Sequence, residues 1–246
     1  MRHLFHPGSL RRPFTFCTQT DSLSPVQRIF WLAWRDLVLE FRGRTGILSA
    51  VFFLAVMLFI LAMAFGPNPQ DLQKAAPGVL WVALAFAGSL LAGRAFGLEV
   101  EDGTLDDLLL TPGSREWIYF GKLLFQFSLL ILVGLVLLLL TAGLFYLPLQ
   151  NWAWFVVVLL LGSLGYAAIS TFYAGMLARL RGREVLLPLL LFPLVIPVVL
   201  AAVRFTQGLA QGIPVAELSD WLRLLAVFDV IYVTVCAMVF PYMLEG

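Results

Sequence analysis

Six of the chain's fifteen acidic residues fall in one stretch, Leu98 to Lys122: Glu99, Glu101, Asp102, Asp106, Asp107 and Glu116. Leu105, Leu108, Leu109 and Leu110 keep one side of that stretch apolar. Thr104 followed by Asp107 resembles a capping box, in which an N-cap oxygen and an acid three residues on satisfy free backbone N–H groups. Pro112-Gly113 then stops the helix. The pattern predicts a short amphipathic helix, tucked against a membrane face and presenting acid outward. That shape suits docking of a soluble partner; a plain solvated loop is the alternative. A second candidate is Asp229, alone inside an apolar run. A carboxylate at membrane depth is expensive and is by default a functional candidate. Its structural alternatives are protonation, or pairing with Arg204 or Arg223. A third is the row Pro188, Pro193, Pro197, which predicts a kinked or locally unwound helix whose freed carbonyls need partners.

Other chemistries are excluded by what the chain lacks. No GxxxxGK[ST] phosphate loop is present, so ATP hydrolysis of that type would reside in a separate subunit. Both histidines, His3 and His6, lie near the N-terminus, which leaves none in the apolar runs for proton relay, metal or haem ligation. HExxH and GxSxG are absent. Asp102-Gly103 could open a phospholipid-synthase signature, but the later regularly spaced aspartates and the arginine are missing. Cys17 and Cys236 form no CxxC or metal-ligand cluster, and no bound cofactor is expected. A net charge of +1 with no large basic patch gives no reason to expect nucleic acid.

The elements that must position these residues are membrane helices. Hydrophobic residues make up 61% of the chain and charged residues 13%, against about 25% charged in a soluble domain. Mean hydropathy is +0.94. Six runs approach the ~20 residues that a bilayer crossing needs: about Gly46–Phe65, Pro77–Leu98, Tyr119–Leu147, Trp152–Leu177, Val185–Arg204 and Trp221–Leu244. The expected fold is therefore all-α, a single membrane domain over residues 25–246. Before the first span, Val26, Phe30, Ala33, Leu37 and Phe41 recur at helical spacing with Trp34 and Val38 beside them, while Arg28, Arg35 and Arg42 recur on another face. Over 26–44 this predicts an amphipathic helix lying in the headgroup plane; a surface helix packed on other protein is the alternative. Residues 1–24, basic and polar, are expected to be a disordered extension, with an untranslated stretch ahead of a non-AUG start at Val26 as the other reading.

Lysine and arginine placement sets the expected orientation. Arg2, Arg11, Arg12, Arg28, Arg35, Arg42, Arg44, Arg115, Lys122, Arg179, Arg181 and Arg183 fall on one side, Lys74 on the other, with Arg204 and Arg223 at span ends. Both termini and the 98–122 stretch are thus expected in the cytoplasm. All seven tryptophans (Trp31, Trp34, Trp81, Trp117, Trp152, Trp154 and Trp221) are expected near interfaces. Gly93/Gly97 and Gly162/Gly165 are candidate close helix contacts.

Several of these stretches also resemble a known family. The run from Ala76 through Trp81 to Val82, then Arg94 and Phe96, then Glu99 to Pro112 with Asp102-Gly103-Thr104-Leu105 and Leu108-Leu109-Leu110, is similar to CcmB. CcmB is the membrane subunit of the haem exporter of cytochrome c maturation. The proline-rich run Leu186–Pro197 is similar to that family's fifth span. The likeness covers about Val26 to the C-terminus. It implies an ABC-2-type permease in the bacterial inner membrane, paired with a CcmA-like ATPase that alone handles ATP. The resemblance further implies CcmC-like, CcmD-like and CcmE-like partners, with haem as the transported or handled ligand. In that setting Glu99 to Trp117 would be a cytoplasmic coupling helix, with Glu99, Glu101, Asp102, Gly103, Thr104, Leu105, Asp106, Asp107 and Leu108 as the residues that dock the ATPase. Asp229 matches no motif of the family. The alternatives are an ABC-2 permease for another cargo, or a non-transporting scaffold for the ATPase.

Overall fold

The computed structural model describes residues 25–43, 45–97, 103, 116–178, 180 and 182–243. Among them are seven α-helices and no strand. They are α1 (Pro25–Gly43), α2 (Thr45–Phe65), α3 (Pro69–Ala92), α4 (Glu116–Leu144), α5 (Trp152–Leu177), α6 (Arg183–Ala210) and α7 (Val215–Met243). The last six are long and apolar enough to cross a membrane, and only helices satisfy their own backbone in a single-chain span of this kind.

Three of these helices are longer on one face than their apolar runs suggest. α3 starts eight residues before Pro77, because Asn68 caps it: Asn68 Oδ1 accepts from the Gln70 N–H at 3.1 Å, and Pro69 opens the first turn. Pro77 therefore sits inside the helix rather than at its start. α6 runs on through Gln207 to Ala210, and α7 begins at Val215 with the polar turn around Glu217. Hydropathy marks where a helix enters hydrocarbon. The polar turns that project beyond it are set by caps and neighbours.

α3, α4, α5 and α6 form the interior, and α2 and α7 lie outside. Two-thirds of the apolar window of α5 is buried inside the protein, against 17% for α2 and 22% for α7. Small residues let the inner helices close. Gly162 of α5 faces the Trp81 ring, and Gly165 faces the Asp229 carboxyl. Gly93 and Gly97 have open space where a side chain would go, so the first of the two expected glycine contacts does not form. Trp81 corrects another expectation. It is 2% exposed, and its Nε1–H donates to Thr206 Oγ1 at 2.9 Å, which makes it a bridge between α3 and α6 rather than an interface anchor. Tyr166 likewise reaches from α5 to the Ala85 carbonyl at 2.6 Å. α6 is helical throughout, prolines included, so local unwinding does not occur. Tyr232 of α7 donates to the Leu194 carbonyl, in the turn between Pro193 and Pro197, at 2.9 Å.

Candidate functional site

The charged groups gather on the face where α1 lies. α1 divides into three sectors. Leu32, Ala33, Asp36 and Glu40 are buried toward the bundle, while Phe30, Trp31, Trp34 and Phe41 are exposed. Phe30 and Trp34 stack with centroids 6.4 Å apart. Arg35 and Arg42 flank the aromatic sector on the exposed side, and Arg28 is half-buried. The apolar stripe read from the sequence is thus split: Ala33 packs inward, while Phe30, Trp34 and Phe41 point away from the protein.

Seating α1 so closely needs a gap in α4, and Gly121 provides it. A Cβ there would come within 2.7 Å of the Leu32 side chain. One turn further along α1, Asp36 is 3% exposed and meets the ammonium of Lys122, itself 1% exposed, at 2.8 Å. The Arg35 guanidinium donates twice to the Asp36 Oδ1 atom, at 2.9 and 2.7 Å. The Lys122 ammonium also lies 5.2 Å from the centroid of the Phe96 ring, within the range where the quadrupole of an aromatic face attracts a cation. Phe96 packs on Phe240 at 6.3 Å and Tyr119 on Phe240 at 5.3 Å, which ties the end of α7 to this face. Tyr119 donates to the Ala168 carbonyl of α5 at 3.1 Å. Glu40, the next acid along α1, pairs with Arg94 at 3.1 Å. Arg94 stands just past the end of α3.

Four of these residues, Asp36, Glu40, Arg94 and Lys122, did not stand out as a group in the sequence. One signal was available. Asp36 and Glu40 fall on the side of α1 that carries Leu32 and Ala33. Acids on the protein-facing side of a helix are costly without a partner, and so point to cations brought from elsewhere.

Of the expected docking residues, Glu99, Glu101, Asp102, Thr104, Leu105, Asp106, Asp107 and Leu108 lie outside the described residues. Gly103 is exposed and has φ +66°, a left-handed conformation that glycine adopts without strain. The segment's two ends are described. Gly97 leads into it from α3, and Glu116 opens α4. Arg94 and Lys122, the cations of the two pairs, stand on either side of it in the chain.

Asp229 is placed elsewhere, within α7. It is 4% exposed and packs against Gly165 of α5. Neither carboxyl oxygen has a hydrogen-bond partner among the described residues. Arg223 instead pairs with Asp220 at 3.2 Å on the surface, and Arg204 is exposed, so the expected pairing of Asp229 with either arginine does not form. On the face away from α1, a cleft of about 270 Å³ opens between α3 and α6, lined by Gln70, Gln73, Lys74, Gln207 and Gln211. Among the described residues no group of three or more His, Cys, Asp and Glu side chains is placed to hold a metal.

Comparison with known proteins places these observations. The model of a family described as "CcmB protein" matches residues 27–245. A heme exporter protein B of Rhodobacter capsulatus is 33% identical over 192 residues, which is 75% of this chain and 87% of that protein. The heme exporter protein B of Haemophilus influenzae is 31% identical over 183 residues, covering 73% of this chain and 81% of the relative. That of Paracoccus denitrificans is 32% identical over 189 residues, 75% and 85% of the two chains.

Proposed function

Because the chain belongs to the CcmB protein family, we propose that it is the membrane permease subunit of an ABC-type haem-export system serving cytochrome c maturation. The observation that carries this reading is the family match, which covers all six spans and the segment between α3 and α4. Haem is the cargo, or the ligand whose handover the complex drives. A separate CcmA-like ATPase hydrolyses the ATP. CcmC-like, CcmD-like and CcmE-like proteins complete the pathway, and the complex sits in the bacterial inner membrane with both termini of this chain in the cytoplasm.

The mechanism we infer puts the ATPase at the charged face. The ATPase grips the acidic side of residues 99–117, and its closure on nucleotide displaces that segment. α3 and α4, which run directly from the segment's two ends, carry the displacement into the bundle. The work available equals the difference in the ATPase's affinity for the two membrane conformations, and no more. α1, which holds residues on either side of the segment, has its aromatic sector in the headgroup layer and Arg28, Arg35 and Arg42 near lipid phosphates, where a helix of this pattern is held by apolar burial and by charge together.

An in-frame deletion followed by haem staining of c-type cytochromes tests the function. The expected result is loss of covalent haem, restored by the intact gene. Normal staining in a strain with no second copy would reject the reading.

A further inference from the structure

A helix that lies on a membrane gains from apolar and basic residues, and has no use for carboxylates turned into protein. α1 nevertheless buries two, Asp36 at 3% and Glu40 at 9% exposure. They are four residues apart, so they share one face a single turn apart. Their cations come from different parts of the chain. Arg94 precedes the segment 98–115 and Lys122 follows it. We propose that α1 is a clamp: Asp36 and Glu40 are positioning residues that hold the two roots of the 98–115 segment, so that α1 and both roots move as one body. The inference rests on the reading that this segment meets the ATPase, and the measurement below keeps the two apart.

The Asp36–Lys122 pair is of the kind that can hold a geometry; in the second pair the Glu40 carboxylate is nearly as buried, but its partner Arg94 is 41% exposed, so that pair is the weaker of the two. An exposed ion pair contributes little, because water and salt screen it. Here Asp36 and Lys122 are 3% and 1% exposed, and separating buried partners leaves an uncompensated charge in a poor solvent. The rotamer of Asp36 is fixed by the two bonds from Arg35. Lys122 is fixed from below by the Phe96 ring, itself stacked on α7. The first turn of α2 packs against the Arg94–Glu40 pair on one side. A Cβ at Gly46 would collide with the guanidinium and with the Glu40 carboxylate, so α2 is drawn into the same body. Motion of either root away from α1 would part a buried carboxylate from its cation. Motion of both roots together with α1 parts nothing. A push on the segment is therefore delivered to α1, α2, α3 and α4 at once instead of being absorbed by bending at one root.

Distances between spin labels on the intact chain in lipid nanodiscs test this. Leu39→Cys on α1 is paired with Glu116→Cys at the start of α4, and separately with Leu90→Cys near the end of α3; all three positions are exposed, and Cys17 and Cys236 are replaced. Both distance distributions are expected to be narrow, and to stay unchanged when the ATPase and a non-hydrolysable ATP analogue are added. Asp36→Asn with Glu40→Gln should broaden both. Unbroadened distributions in the double variant, or a shift on nucleotide in the unmodified clamp, overturn the proposal. In cells the same double variant should keep the chain at its normal membrane level and the ATPase at its normal yield on co-purification, while covalent cytochrome haem falls at least tenfold. The swap Asp36→Lys with Lys122→Asp should recover most of that loss relative to Asp36→Lys alone. A fall in haem that only tracks a fall in membrane level would make the pairs a folding staple and overturn the positioning role. Normal haem in the deletion strain would reject the functional reading while leaving the distance result to judge the clamp.

Discussion

Gly165 and Asp229 meet where α5 and α7 pack, and the absence of a side chain on one makes room for the carboxyl of the other. Gly165→Val should therefore force α7 outward and destabilise the protein by about 1–3 kcal/mol, the usual range for overpacking. Its melting temperature in detergent checks this. Gly93→Ala is the matched control. Gly93 has open space and an ordinary helical φ of −59°, so alanine should leave the melting temperature unchanged or raise it, by about 0.5–1 kcal/mol at most. The two glycine pairs look alike in sequence, and the residues that face them make the difference. The same holds for Trp81. Its type and its place near a span end suggested an interface, but the Thr206 hydroxyl, 125 positions away, draws it into the core.

Among the elements, α1 and the segment between α3 and α4 carry the functional argument. Charge reversal at Asp102, Asp106 and Asp107, each to Lys, should weaken docking of the ATPase without unfolding the spans. The measurement is co-purification: the triple variant should retain the chain in the membrane but bring down much less ATPase. A full complement would show that the acidic side is not the contact. α1 itself was legible as an amphipathic helix from its spacing. Its orientation was not, because aromatic and apolar residues occupy more than half its circumference and either side could have faced protein. The acids decide it. Asp36 and Glu40 have cations waiting on α4 and beyond α3.

At the scale of the whole molecule, α2, α4 and α6 start at the face where α1 lies, and α3, α5 and α7 end there. The ion pairs and the Phe96–Phe240 contact fix that face. The orientation in the membrane is testable with single cysteines in a cysteine-free chain. Gln150→Cys, in the turn before α5, should react with a membrane-impermeant maleimide in intact cells. Leu180→Cys, between α5 and α6, should react only after lysis. The opposite pattern would invert the topology and put the acidic segment out of reach of any cytoplasmic ATPase.

The sequence by itself determined the number of spans, the all-helical class and the family. Hydropathy over ~20 residues and the quoted motifs are local properties, readable without knowing any neighbour. Span boundaries were less legible, since polar turns beyond the hydrocarbon are set by caps such as Asn68 and by contacts across the bundle. Only the tertiary structure decided which charges meet. Asp36 and Lys122, or Glu40 and Arg94, are separated by more than fifty residues in the chain, and no periodicity links them. They meet because Gly121 lets α1 sit close to α4, and because the packing brings to each of these two carboxylates a cation from elsewhere in the chain.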